Sequence, residues 1–497
     1  MLTGVLFLIL AAILLLNLYV QGFLPGQGIA TGGRAFLPKT FIGFFHPYCN
    51  AGGGGERVLW TAIAYMQRTR PDVVCVVYSG DTDASKEQII AKAKARFDVT
   101  LAPQSLHFVF LESRWLAEDR AWPRFTLLGQ SLGSMYLAWE ALSEFVPDLY
   151  NTMGYAFTFH IVAWLAGIPI GAYVHYPTIS TDMLSRVESR RQTYANSEAI
   201  SSSTVLSRGK LMYYRLFMYH YAIALRRSSF LMVNSSWTKN HIDSILAHSD
   251  PFLDLIHLPF TSINSLISSS SRAFALSSPT PHHAPPKRAK IVYPPCDTRV
   301  LSQLPLKRGP SLLLSLAQFR PEKDHAAQIR MLATLQSRYP QHRQSMRMLF
   351  VGGVRNEEDA ARVEELKELA DSLQVSEYVE FVVNAPYARI VELLGEASVG
   401  VNTMVDEHFG INVVEFMAAG VIPVVHASGG PLHDIVVPVG GQRTGFHAKD
   451  PESFAQAVHE VMVMPEEERV AIRARARRWA TNTFSQEAFE RGWAQWF

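Results

Sequence analysis

Short apolar strand-like runs and amphipathic helical patterns alternate along this chain in two separate series, and this alternation limits the folds open to it. In the first series a run ending TFIGFF leads through a glycine loop into a helical pattern from Glu56. VVCVVYSG from Val73, LHFVFL from Leu106, IPIGAYVHYP and FLMVNSS read as further strands, with helical segments such as SKEQIIAKAKARF and FTLLGQSLGSMYLAWEAL between them. Continuous β-branched runs of this length suit strands buried on both faces, and the intervening helices suit parallel crossovers. The second series runs SLLLSLAQ, RMLFVGG, YVEFVV and SVGVNTM, again separated by helical patterns. A chain of 497 residues also exceeds what one core usually supports. The expected fold is therefore α/β, with two Rossmann-like, doubly wound domains facing a cleft at the carboxyl ends of their strands.

The boundaries follow composition. Residues 40–260 form the expected N-terminal Rossmann-like domain, and 291–480 the C-terminal one. Residues 261–290, rich in Ser, Pro and His, cannot bury a continuous apolar face and read as a flexible insertion. Residues 481–497 read as a C-terminal helix. Met1 to Val20 carries no charged side chain and is long enough to cross a bilayer, so residues 1–22 read as a transmembrane anchor. A cleaved signal peptide is the competing reading, weakened by the missing basic n-region and cleavage site. Arg34 and Lys39 follow the span, which places the body of the protein in the cytosol. The sequon at Asn234 is then expected to stay unused. A formal net charge of +2 gives no electrostatic case for nucleic acid. Cys49, Cys75 and Cys296 lack the spacing of a disulfide framework or zinc site.

Chemistry concentrates at a few loop ends. In EHFGINVVEFMAAG, Gly410 is free to adopt a left-handed backbone, Ile411 to Ala419 reads as a helix and Gly420 as its cap. Glu415 falls early in that helix, where a carboxylate accepts hydrogen bonds from two ribose hydroxyls, and the helix N-terminus offers N–H groups to a phosphate. Glu407, in the loop before it, is placed to reach the sugar beyond that phosphate. A solvated Glu and a salt-bridged Glu are the plain alternative for the pair. Arg320 and Lys323 follow the strand SLLLSLA and suit a diphosphate, with loop salt bridging as the alternative; Asp324 is placed to cap the next helix. Gly52, Gly53, Gly54 and Gly55 open a helix after the first strand, where backbone N–H groups bind anions, but neither a P-loop nor an NAD fingerprint is present. His175 ends a strand and reads either as a partner for a sugar hydroxyl or as a structural histidine. Asp81 and Asp83 form a DTD that reads as a turn, with Asp83 helping to start a helix near Ala84, rather than as a metal site. Between Ala199 and Ile242 there is no Asp or Glu, while six Lys and Arg residues occur among several aromatics. That segment reads either as a membrane-surface helix or as a helix with its aromatic face in the core.

HPYCNAGGGGERVLW, AYVHYPTIST, VNSSWTKNHI, VYPPCDT, LAQFRPEKDH, NAPY and EHFGINVVEFMAAG together resemble the retaining GT-B glycosyltransferases with an E-x7-E motif (glycosyltransferase family 4). Within them, the resemblance is to the α-1,2-mannosyltransferases that elongate the dolichol-linked oligosaccharide for asparagine-linked glycosylation. The resemblance implies GDP-mannose as donor and dolichyl-diphosphate oligosaccharides with three, then four, mannoses as acceptors. It implies that Arg320 and Lys323 hold the diphosphate, Glu415 the ribose and Glu407 the donor mannose. His175 would lie beside that mannose, Gly410 and Ile411 would border the phosphates, and the glycine loop would border donor and acceptor. It further implies retention of configuration, no cofactor or metal, and action on the cytosolic face of the endoplasmic-reticulum membrane, with other lipid-linked-oligosaccharide transferases as neighbours. Another lipid-directed transferase of this fold, or a non-catalytic sugar-nucleotide-binding subunit, remains the alternative.

Overall fold

The computed structural model describes residues 39–179, 204–250, 253, 288–309 and 311–497. The expected anchor at 1–22 and all but the end of the Ser/Pro/His-rich stretch lie outside the described residues. Among the described residues no helix is long and apolar enough to cross a membrane.

The first domain runs β1 (Thr40–Phe45), α1 (Gly54–Thr69), β2 (Val73–Ser79), α2 (Lys86–Phe97), β3 (Leu106–Phe110), α3 (Thr126–Glu144), β4 (Leu149–Thr152), α4 (Thr158–Leu165), β5 (Ile170–Val174), α5 (Thr204–Arg226), β6 (Phe230–Val233), α6 (Ser236–Ala247) and β7 (Lys290–Ile291). The second continues with α7 (Thr298–Leu301), β8 (Leu312–Leu316), α8 (His325–Arg338), β9 (Arg347–Gly352), α9 (Glu357–Ser372), β10 (Val379–Val383), α10 (Tyr387–Glu396), β11 (Val399–Asn402), α11 (Ile411–Ala419), β12 (Ile422–His426), β13 (Phe446–Ala448), α12 (Pro451–Val463), α13 (Glu466–Phe484) and α14 (Gln486–Trp493).

Both sheets are parallel throughout, in the orders β3-β2-β1-β4-β5-β6-β7 and β10-β9-β8-β11-β12-β13. Strand order reverses direction beside β1 in the first sheet and beside β8 in the second. Such switch points leave a crevice at the carboxyl ends of the strands. The glycine loop follows β1, the Arg320–Lys323 turn follows β8, and Glu407 follows β11.

Three expectations need correcting. The boundary at 291 falls inside β7, which pairs with β6, because Lys290 and Ile291 extend the first sheet by one strand. The terminal segment 481–497 is not a single helix: α13 ends at Phe484, and Ser485 caps the separate α14 by accepting from the Ala488 N–H. Asp83 does not start α2. Ser85 does, accepting from the Gln88 N–H.

The last helix returns to the first domain. Trp493 is fully buried and stacks at 6.5 Å on Phe44 of β1, Phe489 is buried beside it, and Glu490 pairs with Arg68 of α1 at 2.6 Å. One face of the basic, aromatic segment packs in the core: Tyr214, Phe217, Tyr219 and Tyr221 of α5 are buried, and Arg226 donates to the carbonyls of Leu246 and His248, while Met212 and Leu216 on its other face are exposed. Trp493→Ala is expected to cost about 3–5 kcal/mol, the usual penalty for emptying a buried aromatic site. Urea unfolding followed by circular dichroism measures it, and a cost below about 1 kcal/mol would contradict the role given to this helix.

Candidate active site

The loop after β8 turns through Pro321–Lys323 and ends on Asp324, whose side chain accepts from the Ala327 N–H and starts α8 as expected. This fixes Lys323, whose Nζ lies 2.6 Å from Glu407 Oε2 and 3.1 Å from Met404 Sδ. Thr403 Oγ1 donates to the Asp324 carbonyl at 2.9 Å and ties the β8 and β11 loops together. Glu407 is buried, and its carbonyl accepts from the Gly430 N–H at 2.7 Å. Gly429 has φ +62°, and a Cβ on it would stand 2.2 Å from that carbonyl oxygen, so the turn after β12 requires glycine. The Lys323–Glu407 pair therefore sits rigidly at the switch point.

Gly410, with φ +107°, opens α11 without a side-chain cap, which leaves the N–H groups of Ile411 and Asn412 at the helix start without an intrahelical partner. Ile411 begins the helix as expected. Its Cδ1 would be 2.8 Å from a Cβ on Gly54, so the glycine loop of one domain touches the helix start of the other. Glu415 lies one turn further in. Burial pushes its carboxyl up to about 7; the Arg57 guanidinium pulls it back down and the Asp297 carboxylate raises it further. Asp297 itself accepts from the Tyr387 hydroxyl at 3.2 Å.

Across the cleft, Gly52 has φ +88° and its carbonyl receives Arg96 Nε at 3.4 Å, while the Gly53 N–H donates to Glu56 at 2.7 Å. Gly55 stands under two imidazoles: a Cβ there would be 3.5 Å from His175 Nε2 and 3.6 Å from His46 Nε2. His175 Nε2 is buried without a hydrogen-bond partner, and burial, with His46 and His408 nearby, pulls its pKa down to about 3. The ring is neutral at physiological pH. Its carbonyl accepts from Asn234 Nδ2 at 2.8 Å, and Asn234 is buried, so the sequon asparagine serves the site. Asp81 braces the glycine loop by accepting from the Asn50 N–H at 2.9 Å and pairing with Arg114.

The structure thus brings together Lys323, Glu407, Gly410, Ile411, Glu415, Gly52 to Gly55 and His175. Arg320 stands apart. It borders a cavity of about 240 Å³ between α8 and α9 with Arg362 and Glu365, its Nε is buried without a partner, and Nη1 is 3.7 Å from Glu322.

A family profile described as "ALG11 mannosyltransferase N-terminus" matches residues 39–246, and one described as "Glycosyl transferases group 1" matches 298–479. A Xenopus laevis protein named GDP-Man:Man(3)GlcNAc(2)-PP-Dol alpha-1,2-mannosyltransferase is 44% identical over 464 residues, covering 92% of this chain and 87% of its own. The human protein of that name is 44% identical over 458 residues, covering 91% of this chain and 85% of its own. The chain belongs to this mannosyltransferase family. Its fold is GT-B: Anabaena Alr3699/HepE superposes with a TM-score of 0.56 at 16% identity, covering 91% of this chain and 98% of that one. Sucrose-phosphate synthase from Thermosynechococcus elongatus gives 0.56 at 15% identity, covering 92% and 98%.

Within this mannosyltransferase, four site residues carried no local sequence signal beyond their positions. His46 directly follows β1 and Arg57 lies just past the glycine loop. His408 stacks at 4.1 Å on Tyr176 of the other domain, and burial pulls its pKa down to about 4. Asp434 accepts from the Ser236 N–H at 3.0 Å and hydroxyl at 2.6 Å, and from the Tyr293 hydroxyl at 2.9 Å, so it caps α6 from the opposite domain.

The raised Glu415 pKa has a definite sign. The folded state binds this proton more tightly than the unfolded chain, so the donor-free protein loses stability as pH rises from about 4.5 through about 7. Glu415→Gln removes that loss. Its unfolding midpoint in urea should exceed that of the parent protein at pH 8 and match it near pH 4; an equal difference at both pH values would refute the assignment.

Proposed function

We propose that this chain transfers mannose from GDP-mannose to dolichyl-diphosphate-linked Man3GlcNAc2 and then Man4GlcNAc2, forming α-1,2 linkages with retained configuration. The observation that carries the reading is the Lys323–Glu407 pair, 2.6 Å apart at the switch point of the second sheet, with Glu407 four residues before the Ile411 that meets Gly54 of the glycine loop. The names of the relatives supply the donor and the first acceptor.

In this reading the GDP diphosphate lies along the open N-terminus of α11, between Gly410 and the glycine loop. Its negative charge is met by helix N–H groups and by Lys323, with Arg320 swinging in from the α8–α9 edge. Glu415 takes the ribose diol, and a carboxylate needs to be ionised to accept both hydrogen bonds. Glu407 orients the mannose hydroxyls while Lys323 holds its carboxylate in place. Neutral His175, with its unpartnered Nε2, offers one further hydrogen bond at the sugar.

As the bond from mannose to phosphate breaks, charge grows on the leaving diphosphate, and these fixed donors stabilise it most at that moment. The acceptor hydroxyl attacks from the same face, and its proton passes to the leaving phosphate oxygen. The reading needs no metal ion, because side-chain cations and helix N–H groups occupy the leaving-group side. Residues 1–22 anchor the enzyme in the endoplasmic-reticulum membrane with both domains in the cytosol.

The decisive assay offers the full-length enzyme GDP-mannose or UDP-linked sugars with dolichyl-diphosphate glycans of graded length, and identifies product linkage and anomer. Transfer only from GDP-mannose, only to glycans with three or four mannoses, and unchanged by EDTA is expected. Lys323→Ala and Glu407→Ala should each lower kcat at least about 100-fold, the scale for removing a preorganised electrostatic group, with the circular dichroism spectrum unchanged. Parent-like turnover in either variant would sink the site assignment.

A further inference from the structure

One side of the first domain keeps seven large apolar side chains exposed. Leu128, Leu132 and Tyr136 recur every fourth residue along α3 and form a single stripe. Phe125, 68% exposed, stands just before the first turn of that helix, and Trp115 projects from the preceding short helical segment at Glu112–Ala117. Met212 and Leu216 add a second stripe one turn long on α5.

These residues belong to one surface. The Leu128 N–H donates to the Tyr213 hydroxyl of α5 at 3.0 Å, and the Tyr213 ring meets Phe125 edge-on at 5.7 Å. Gly133 lets the Trp115 segment lie directly on α3: a Cβ there would stand 2.0 Å from the Leu116 carbonyl oxygen. Soluble monomers rarely leave a contiguous patch of leucines and aromatic rings uncovered.

Its charge pattern selects the partner. From Phe125 to Trp139 there is no Asp or Glu, and α5 has none along its whole length. Arg124 is exposed beside Phe125, and Lys210 lies over the Tyr214 ring at 5.6 Å. Among the acidic residues flanking these helices, Asp119 accepts from the Arg120 N–H, Glu118 pairs with Arg114 and Arg120, Glu140 accepts from the N–H groups of Glu112 and Ser113, and Glu112 and Asp119 stay exposed at the Trp115 end of the face. Leucines flanked by aromatic rings, with a basic rim, match the boundary between acyl chains and anionic headgroups.

A cavity of about 170 Å³ opens beside α3, lined by Leu127, Ser131, Tyr155, Phe157 and Thr178, and Thr178 is three residues beyond His175. Residues 21–39, between the uncharged N-terminal stretch and β1, span at most roughly 65 Å even when fully extended. The first domain therefore stays within about one molecular length of the bilayer.

We propose that the α3–α5 face docks on the membrane surface, with Phe125, Leu132 and Leu216 in the headgroup and acyl boundary. A lipid-borne diphosphate acceptor then enters the cleft along the cavity beside Ser131 and Thr178. This second statement rests on the lipid-linked acceptor of the proposed function, and the nearness of the face to the bilayer rests on its N-terminal anchor; the exposed apolar surface itself rests on neither.

The test uses full-length protein in vesicles of phosphatidylcholine and phosphatidylserine, labelled with an environment-sensitive fluorophore. Single cysteines are introduced as Phe125→Cys, Leu132→Cys or Leu216→Cys, with Val463→Cys, exposed on the second domain, as control. The native thiols are buried, and burial pushes Cys75 up to about 12, so they stay unlabelled. Nitroxide lipids should quench the three patch positions at least about threefold more than position 463. Equal quenching at all four positions overturns the proposal. So does a blue shift at the patch that grows with protein concentration in the absence of vesicles, which would make the face a contact between copies. Leu128→Ser/Leu132→Ser should raise KM for a long-chain acceptor in vesicles at least about fivefold while kcat with a short-chain acceptor in detergent is unchanged. Loss with both acceptors, or with neither, counts against acceptor entry by this route. The quenching result stands without any transfer activity, so failure of the proposed function and failure of docking are separately visible.

Discussion

The site depends on how one nine-residue helix, α11, is held at its far end. Arg477 donates to the carbonyls of Ala418 and Ala419, and Arg308 to that of Ala419 and to those of Leu394 and Ala397. Burial and the neighbouring Arg473 and Arg477 bring Arg308 down to about 10, which leaves it charged under physiological conditions. Two guanidinium groups at a helix C-terminus satisfy carbonyls that otherwise lack partners and oppose the negative end of the helix dipole. The far end of α11 is thereby fixed, and with it the direction in which Gly410 and Ile411 present their N–H groups. Of the basic run in α13, Arg477 serves this purpose, while Arg473 donates to the Leu306 carbonyl and the Ser398 hydroxyl.

Around that helix, the two domains meet through contacts of different physical kinds. Gly54 touches Ile411 because neither carries more bulk than the gap accepts; His408 lies flat on Tyr176; Asp434 caps α6 from across the cleft. The imidazoles of His175 and His408 remain uncharged, since each would lose hydration by taking a proton there. Burial thus confines charge near the reacting centre to carboxylates, guanidinium groups and the Lys323 ammonium. In such surroundings a fixed dipole or ion acts more strongly than it would in water.

Much of this was legible in local sequence. The α11 limits, Ile411 and Ala419, follow from glycines at both ends, and both glycines take positive φ. Lys323 and Glu407 lie 84 residues apart, yet each sits in the loop after a strand that the apolar runs had marked. What escaped is what depends on long-range approach. Nothing near Asp434 indicates Ser236, 198 residues away, and nothing near Arg57 indicates Glu415. The α5 segment was ambiguous because both of its faces carry large apolar residues: Tyr214, Phe217 and Tyr221 turn inward, whereas Met212 and Leu216 do not. Arg320 and Lys323 were read as a pair from a three-residue spacing; Lys323 meets Glu407, while Arg320 borders the cavity between α8 and α9, a difference that spacing does not encode.

The chain crosses between the domains twice, once after β7 and once between α13 and α14. The crossings run side by side: Cys296 and Ser485 form a parallel bridge, and the Cys296 N–H donates to the Phe484 carbonyl at 3.0 Å. A body attached by a single thread can swivel freely, whereas one attached by two bonded threads keeps essentially one rotational freedom, about the line joining them. Any rotation of one domain on the other would then carry Glu407 and His408 along a single arc past His175 and bring the same atoms back to the same register.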